Sequence, residues 1–283
     1  MQLPFVKYQS LGNDFILINA QDFFKDKDID YLNSKAFKHQ VIRWCDRHFG
    51  IGADGVLLFV YTAENPEVLV YNADGTMGQF SGNGIRCAAH YFNHLYPKKN
   101  AFVMMMGSRR VSCFVNAQTQ LVTTSLPSGL YQGPHETSLD DELFQGDLCN
   151  VGNPHFLIEA PQGLVTGNEA ADFKTIKEKL STIGYALVTH QGMQRQLNIQ
   201  FFWKIGIKKY RLIPFERGAG MTLACSSGAA ALAWVLYTKK IVAQDDELEI
   251  IMEGGSLKVK IDADQSICLR AQAVIVFEGV CEI

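Results

Sequence analysis

The sequence predicts a mixed α/β (α+β) protein made of two similar halves, each a set of mainly antiparallel strands around one buried helix. Two segments, residues 85–96 and 229–239, predict apolar helices, and the second is apolar almost all round, which is typical of a buried helix. Short apolar runs between turn residues predict strands on both sides of each helix. The chain of 283 residues is long enough for one large or two medium domains.

The two helices belong to an internal repeat. Aligning the four residues that precede or open each helix, Ser81-Gly82-Asn83-Gly84 and Cys225-Ser226-Ser227-Gly228, superposes the helices. Upstream, Asn72-Ala73-Asp74-Gly75 then stands at the same distance from Ser81 as Glu216-Arg217-Gly218-Ala219 does from Cys225. The repeat is weak in identity but consistent in spacing, and it indicates a duplicated chain.

Composition narrows the class of protein. With 47% hydrophobic residues, 19% charged residues and a net charge of −3, the chain is expected to be a soluble globular protein that does not bind nucleic acid. It shows no charged leader followed by an apolar run and no stretch of eighteen apolar residues, so we expect neither export nor a membrane span. Seven cysteines without a C-x-x-C pair favour a reducing cytoplasm over disulfides or structural zinc.

The first half opens with a predicted hairpin, because apolar runs at residues 5–8 and 14–18 flank Gly12-Asn13. Asn13 is either a turn former or a ligand contact, and the local chemistry favours the turn. Residues 28–47 predict a helix, with apolar side chains on its inner face at Tyr31, Leu32, Phe37, Val41, Ile42 and Trp44.

The glycines of residues 50–55 do not form a phosphate-binding loop. They precede a strand instead of joining a strand to a helix, and no Gly-Lys-Ser/Thr follows them. We therefore exclude nucleotide binding there.

The rest of the first half leads into and out of the helix at residues 85–96. Ser81 suits a helix N-cap, and Arg86 and Cys87 are expected to be structural. Strands are predicted at 68–71 and within 101–126, where Met104, Met105 and Met106 fill the core. Residues 127–147 are rich in polar and turn residues and predict turns. We place the change of domain near residue 117.

In the second half, His155 follows Gly152-Asn153-Pro154 and begins an apolar run. A lone histidine in this setting is more often a hydrogen-bonded scaffold residue than a catalyst. Residues 169–183 predict an amphipathic helix. Strands are predicted for the remaining apolar runs, at residues 148–151, 155–158, 197–202, 210–215, 248–252, 257–261, 267–270 and 274–277.

Cys225 is the candidate reactive thiol. It stands immediately before the second apolar helix, where unpaired backbone N–H groups and the helix dipole bind carboxylates and lower the pKa of a thiol. Ser81 has the corresponding place before the first helix. Two such helix N-termini could face one another across a cleft and hold one anionic substrate.

Seven short segments, in order along nearly the whole chain, resemble the diaminopimelate epimerase family: Gly12-Asn13-Asp14-Phe15, Gly50-Ile51-Gly52-Ala53-Asp54-Gly55, Asn72-Ala73-Asp74-Gly75, Gly82-Asn83-Gly84-Ile85-Arg86-Cys87, Gly152-Asn153-Pro154-His155, Glu216-Arg217-Gly218-Ala219-Gly220 and Ala224-Cys225. The resemblance implies an isomerase without pyridoxal phosphate that interconverts L,L- and meso-diaminopimelate for lysine and peptidoglycan synthesis. It also implies two pseudo-symmetric domains, which we place at residues 1–117 with 270–283 and at 118–269, and a homodimer.

The resemblance assigns a role to each matching residue. Two cysteines of the family act as base and acid on the two faces of the α-carbon. Cys225 matches one of them, and Glu216 and His155 would orient or polarise the pair. The α-carboxylate would be held by backbone N–H groups of Gly82, Asn83, Ser226 and Ser227. The far amino-acid end would be bound by Asn13, Asn72, Asn153, Asn198 and Arg217. The local chemistry favours a turn residue at Asn13 and a scaffold residue at His155. The resemblance instead favours a substrate contact at Asn13 and a role beside the catalytic pair for His155.

The chain departs from the family pattern at its first catalytic cysteine, where it has Ser81. A hydroxyl is far less acidic than a thiol, whose pKa is about 8.5, so Ser81 is a poor base for a carbon acid. It can still pass on a proton or hold a water molecule that does. Smaller departures are Met221 for the family's Glu, Ser226 for its Gly, and Ala271-Gln272-Ala273 for a Thr-Gly-Pro turn.

Three functions therefore stay open. The first is a diaminopimelate epimerase impaired by Ser81, whether that serine is natural or introduced by substitution. It is favoured because every residue expected to bind the far amino-acid end of the substrate is present. The second is a related racemase, or a dehydratase of the hydroxyproline type, that uses one cysteine. The third is an inactive amino-acid-binding paralogue. We expect no cofactor and no metal, since no cluster has ligand spacing and no lysine has a pyridoxal-type setting.

Overall fold

The computed structural model describes residues 2–23, 29–61, 66–139, 142–160, 172–189, 197–217 and 219–282. The chain divides into two compact units. Unit 1 comprises residues 1–125 and 270–283, and unit 2 comprises residues 126–269. Each unit consists mostly of strands with a few helices, which confirms the predicted fold class.

The elements of the first part of the chain are strands and short helices that precede or surround one long helix. The strands are β1 (Gln2–Ser10), β2 (Asn13–Asn19), β3 (Gly55–Tyr61), β4 (Pro66–Asn72), β5 (Met77–Gly78), β6 (Ala101–Met106), β7 (Arg109–Val115) and β8 (Leu121–Leu126). The helices are α1 (Ala20–Phe23), a 3-10 helix (Ile29–Asn33), α2 (Lys35–Cys45) and α3 (Gly82–Leu95). The sequence-based domain boundary near residue 117 lies between β7 and β8.

The second part of the chain repeats this order. Its strands are β9 (Leu130–Leu139), β10 (Glu142–Asn150), β11 (Pro154–Glu159), β12 (Asn198–Gly206), β13 (Lys209–Glu216), β14 (Gly220–Met221), β15 (Leu248–Met252), β16 (Gly255–Ile261), β17 (Ile267–Gln272) and β18 (Val274–Glu282). Its helices are α4 (Asp172–Thr189) and α5 (Ser226–Thr238). Residues 169–171 of the predicted amphipathic helix lie outside the described residues.

Strand pairing has the same pattern in both units. In unit 1, β1 and β2 are antiparallel, β2 and β3 parallel, β3 and β4 antiparallel, and β4 and β6 parallel. In unit 2, the same relations join β10 to β11, β11 to β12, β12 to β13, and β13 to β15. The last strand, β18, pairs with β1, as β9 pairs with β10. The sequence repeat thus corresponds to a structural repeat.

The central helices are α3 in unit 1 and α5 in unit 2. Strands β1, β2, β3, β4, β6 and β7 pack around α3, and β9, β10, β11 and β16 pack around α5. The residues of α5 from Gly228 to Leu236 are all buried, as their uniformly apolar character predicts. The outer helices are amphipathic instead: α2 buries Phe37, Val41 and Trp44 against the strands of unit 1.

Two sequence-based assignments were wrong. Residues 127–147 are not mainly turns, since β9 and β10 form a long antiparallel hairpin there. Their composition is polar because exposed and partly buried positions alternate along β9, so only one side of the strand meets the core. The helix predicted from residue 28 begins later, because Ser34 caps α2 by accepting a hydrogen bond from the Phe37 amide, and Ile42 is exposed instead of buried.

No helix within the described ranges is long and apolar enough to cross a membrane. Among the same residues, no three His, Cys, Asp or Glu side chains are grouped so that they could share a metal ion.

Candidate active site

Cys225 is the N-cap of α5 and is buried. Its backbone is extended, with φ −123° and ψ 102°, and its Sγ accepts a hydrogen bond from the Gly228 amide at 3.3 Å. Its own amide faces Met252 Sδ at the end of β15, at 3.3 Å. Small residues at the start of α5 therefore place the thiol against the first turn of the helix, where backbone N–H groups lack intrahelical partners.

Glu216 lies directly beside this thiol. The carboxylate is at the end of β13, and Cys225 Sγ donates to its Oε2 at 3.2 Å. Thr222 Oγ1 donates to Glu216 Oε1 at 2.5 Å, and the short pairing of β13 with β14 holds this segment in place. Ser227 Oγ lies 3.5 Å from Cys225 Sγ. The thiol thus has a proton acceptor on one side and hydrogen-bond donors on the other.

The expected lowering of the Cys225 pKa was wrong. Burial raises the pKa of the thiol well above its ordinary value, and the negative charge of Glu216 raises it further. Hydrogen bonds from Ser227 and the Gly228 amide lower the pKa, but these are smaller effects. Cys225 is therefore a protonated thiol at neutral pH, and Glu216 is the group beside it that can accept its proton.

Three of the polar residues predicted for the far end of the substrate, Asn153, Asn198 and Arg217, lie in unit 2 with this cluster. Asn153 Nδ2 donates to Ser227 Oγ at 3.1 Å. Asn198 Nδ2 donates to the Pro154 carbonyl at 3.3 Å, and Asn198 Oδ1 accepts from the Arg217 amide at 3.1 Å. The Arg217 side chain is exposed, which leaves its guanidinium accessible to solvent.

His155 is fully buried on β11, and its hydrogen bond goes to Gln200 of β12, with Gln200 Nε2 and His155 Nδ1 3.3 Å apart. Burial lowers the pKa of His155 to about 3, so the ring is neutral at physiological pH. Gln200 is a residue that the sequence analysis missed. Its signal was a single amide within the apolar run Ile199-Gln200-Phe201-Phe202 of a buried strand.

Ser81 is the corresponding cap in unit 1, as predicted. It precedes α3, its Oγ accepts from the Gly84 amide at 3.0 Å, and its own amide faces Met106 Sδ at 3.2 Å. Gly82 and Asn83 begin α3 and are buried, whereas of Ser226 and Ser227, which begin α5, Ser226 is buried and Ser227 is partly buried. Met106 was expected to fill the core, and it is buried, but its sulfur also meets the cap.

Asn13 and Asn83 belong to one hydrogen-bonded network in unit 1. Asn83 Nδ2 donates to Asn13 Oδ1 at 3.3 Å, and the buried Arg86 donates to Asn83 Oδ1. Asn13 Nδ2 donates to Asp54 Oδ2 at 2.8 Å, and Asp54 is in turn paired with Arg47. The turn is formed by Leu11 and Gly12, with φ of 54° and 78°, so Asn13 begins β2 instead of forming the turn.

A second part of this network surrounds Asp14. Burial opposes its ionisation, but hydrogen bonds from Arg47 and the buried Lys7 outweigh that effect and lower the pKa of Asp14 to about 2. Asn72, by contrast, is exposed and its Nδ2 donates to Thr76 Oγ1 at 3.0 Å, within its own turn.

Predicted site residues thus form a hydrogen-bonded cluster in each unit, while Asn72 is bonded to Thr76 and His155 to Gln200. In unit 2, hydrogen bonds connect Cys225 to Glu216 and Ser227, Ser227 to Asn153, and Asn198 to the backbone of Arg217. In unit 1, Ser81 caps the turn that carries Asn83, and Asn83 contacts Asn13. Gly218 of the Glu216–Gly220 motif lies outside the described residues.

Comparison with known proteins agrees with this architecture. A family model described as diaminopimelate epimerase matches residues 5–127. Diaminopimelate epimerase from Thermosynechococcus vestitus is 30% identical over 304 residues, with 99% of each chain covered. The enzyme of that name from Elusimicrobium minutum is 31% identical, with 98% of this chain and 99% of the relative covered.

A solved structure shows the same fold at lower identity. The crystal structure of a hydroxyproline epimerase from Agrobacterium vitis, with bound trans-4-OH-L-proline, superposes with a TM-score of 0.74 at 12% identity, covering 99% of this chain and 92% of that one. Fold and relatives together define an isomerase of the epimerase and racemase class. Within that class, the chain belongs to the diaminopimelate epimerase family.

Proposed function

We propose that this chain is a diaminopimelate epimerase that interconverts the L,L- and meso-isomers without pyridoxal phosphate, for lysine and peptidoglycan precursor synthesis. The observation that carries the proposal is the thiol of Cys225 at a helix N-terminus, 3.2 Å from the carboxylate of Glu216. An α-proton that no imine acidifies needs a well-positioned base and stabilisation of the charge that develops, and a buried thiol beside a proton acceptor fits that need.

Cys225 has a defined part in the proposed reaction. Its proton passes to Glu216 Oε2, and the thiolate then takes the α-proton of the substrate. Hydrogen bonds from the Gly228 amide and from Ser227 stabilise the thiolate while it carries the charge. Return of the proton from Cys225 restores the substrate unchanged, whereas inversion needs a second group to supply a proton to the other face.

The proposal assigns that second transfer to Ser81. Its hydroxyl gives up a proton far less readily than a thiol. The Gly84 amide donates a hydrogen bond to its Oγ, which stabilises negative charge there but accepts no proton. We therefore expect α-proton exchange at Cys225 to be much faster than inversion. The same reasoning supports the alternative of a one-cysteine racemase or dehydratase, which removes the α-proton and does not need a second thiol.

The test is to follow L,L-diaminopimelate in deuterated water by NMR with the unmodified chain, Ser81→Cys and Cys225→Ser. We expect deuterium at the α-carbon with little inversion for the unmodified chain. Ser81→Cys should increase inversion by about a hundredfold or more, and Cys225→Ser should abolish exchange and inversion together. Exchange that survives Cys225→Ser would contradict the assignment of the thiol.

Other substrates separate the alternatives. If the unmodified chain and Ser81→Cys both leave diaminopimelate unexchanged, the proposal is wrong. Exchange or loss of water from a hydroxyproline would then support the one-cysteine alternative. Binding of an amino acid, measured by calorimetry, without exchange of any substrate would support an inactive binding protein.

We also propose that the chain is cytoplasmic and forms a homodimer. Sedimentation of the purified chain would test the homodimer.

A further inference from the structure

Two polar side chains lie buried beneath the first turn of α5. His155 and Gln200 are fully buried on the neighbouring parallel strands β11 and β12, and their side chains are hydrogen-bonded to each other. His155 Nε2 and Gln200 Oε1 are buried without a hydrogen-bond partner among the described residues. Such groups lower the stability of the fold, so their presence calls for an explanation.

Gln200 also touches the turn that holds the thiol. Its side-chain amide packs against Gly228 so closely that a Cβ at that position would overlap Gln200 Oε1. The Gly228 amide is the group that donates to Cys225 Sγ. A direct series of contacts therefore leads from His155 through Gln200 and Gly228 to Cys225.

Unit 1 shows that the fold does not require a polar pair at this place. The side chain beneath Gly84 is Leu57, whose Cδ2 lies 3.0 Å from where a Cβ on that glycine would be. By strand register, Phe15 pairs with Gly55 as His155 pairs with Asn198, so Phe15 and Leu57 correspond to His155 and Gln200. Both apolar side chains are buried. The polar pair occurs beneath the cysteine and the apolar pair beneath the serine.

We propose that Gln200 is a positioning residue for the reaction at Cys225, which holds the neutral His155 ring with its proton on Nε2 and supports the first turn of α5 at Gly228. In the orientation of the Gln200 amide in the structure, its NH2 group faces His155 Nδ1. An NH2 group only donates, so this orientation gives Nδ1 as the acceptor and the ring proton on Nε2. A neutral N–H donor of this kind stabilises negative charge on an oxygen atom without losing its proton. The kinetic part of this proposal rests on the proposed function, but the structural part does not.

The first test uses the unmodified chain. Nitrogen-15 NMR of the histidine side chains distinguishes the two neutral tautomers, with His155→Phe identifying the His155 signals. We expect the proton on Nε2. A proton on Nδ1, or a mixture of tautomers, would overturn the proposal whether or not the chain acts on diaminopimelate.

The second test uses Gln200→Leu, with His155→Phe/Gln200→Leu as the matched control that copies the pair of unit 1. Loss of Gln200 should mix the tautomers of His155 and lower kcat for α-proton exchange about tenfold, with KM changed less than about twofold. Because the double variant copies a pair that unit 1 accommodates, it should fold and also exchange slowly. Full kcat in Gln200→Leu would contradict the positioning role.

A substrate-free measurement separates the two proposals. The rate of Cys225 alkylation should change in Gln200→Leu, because the turn that holds the thiol loses its support. If no variant exchanges diaminopimelate, the proposed function fails, while the tautomer and the alkylation rate still decide the role of Gln200. An unchanged alkylation rate together with an unchanged tautomer would refute it.

Discussion

The Ser81 cap of unit 1 and the Cys225 cap of unit 2 share their backbone arrangement and differ in their chemistry. Each cap accepts a hydrogen bond from the glycine amide three residues on, at 3.0 Å in unit 1 and 3.3 Å in unit 2. Each cap amide faces a methionine sulfur at the end of a strand, Met106 or Met252. The duplicated fold thus supplies two equivalent helix N-termini.

What differs is the set of side chains around each cap. Strand β4 ends in Asn72 in unit 1 and the corresponding strand β13 ends in Glu216 in unit 2, and Glu216 contacts its cap. The buried pair below is apolar in unit 1 and polar in unit 2. The fold therefore sets the backbone of both caps, while the side chains around the two caps differ in polarity.

The largest effect should come from replacing the Glu216 carboxylate by an amide, the group that Asn72 has at the corresponding strand end of unit 1. In Glu216→Gln the thiol loses its proton acceptor, so α-proton exchange should fall about a hundredfold. The same change removes a negative charge that raises the pKa of Cys225, so alkylation at pH 7 should become faster. Both rates are measured against pH, with Cys225→Ser subtracting the reaction of the other cysteines. Slower alkylation in Glu216→Gln would show that the carboxylate activates the resting thiol.

An effect of intermediate size concerns the buried pair His155 and Gln200, which should make the stability of the fold sensitive to low pH. The pKa of His155 is lowered from 6.5 to about 3 by burial, so the unfolded chain binds a proton below pH 6.5 that the folded chain does not. Stability from this group is present above pH 6.5 and is lost as the pH falls toward 3. At pH 4.5 it should lower the free energy of unfolding by about 2 to 3 kcal/mol relative to pH 7.

His155→Phe/Gln200→Leu should not show this loss. At pH 4.5 the comparison does not involve Asp14, whose contribution is lost only between its ordinary pKa of 3.8 and its folded value of about 2. Urea unfolding of both proteins at the two pH values measures the difference. Equal acid sensitivity would mean that His155 is not held neutral by burial.

Much of this comparison could be predicted from the sequence. The repeat of small residues before two helices predicted both caps, since glycine and serine stand at the start of each helix. The contacts that arise from strand register could not be predicted. Gln200 of β12 contacts Gly228 of α5, and the parallel pairing of β12 with β11 that accompanies this contact has a register that no local pattern gives.

The direction of the Cys225 pKa shows the same limit. The sequence predicted a helix N-terminus, which lowers the pKa of a thiol, but it did not give the burial of the side chain or the distance to Glu216. Both of these raise the pKa and are the larger effects. The hairpin of β9 and β10 was missed for a related reason, because its polar composition reflects an exposed strand face instead of turns.

The smallest expected effect tests the feature that the two caps share. Met106→Leu and Met252→Leu keep the volume but remove the sulfur that accepts from the cap amide, so each should lower the free energy of unfolding by about 1 kcal/mol. If the two caps share their backbone arrangement but not the chemistry around them, the two losses of stability should be equal. Only Met252→Leu should then change the alkylation rate of Cys225. Thermal unfolding and the alkylation assay measure the two quantities. A change in Cys225 reactivity caused by Met106→Leu would show that the chemistry around Cys225 depends on unit 1 as well as on its own unit.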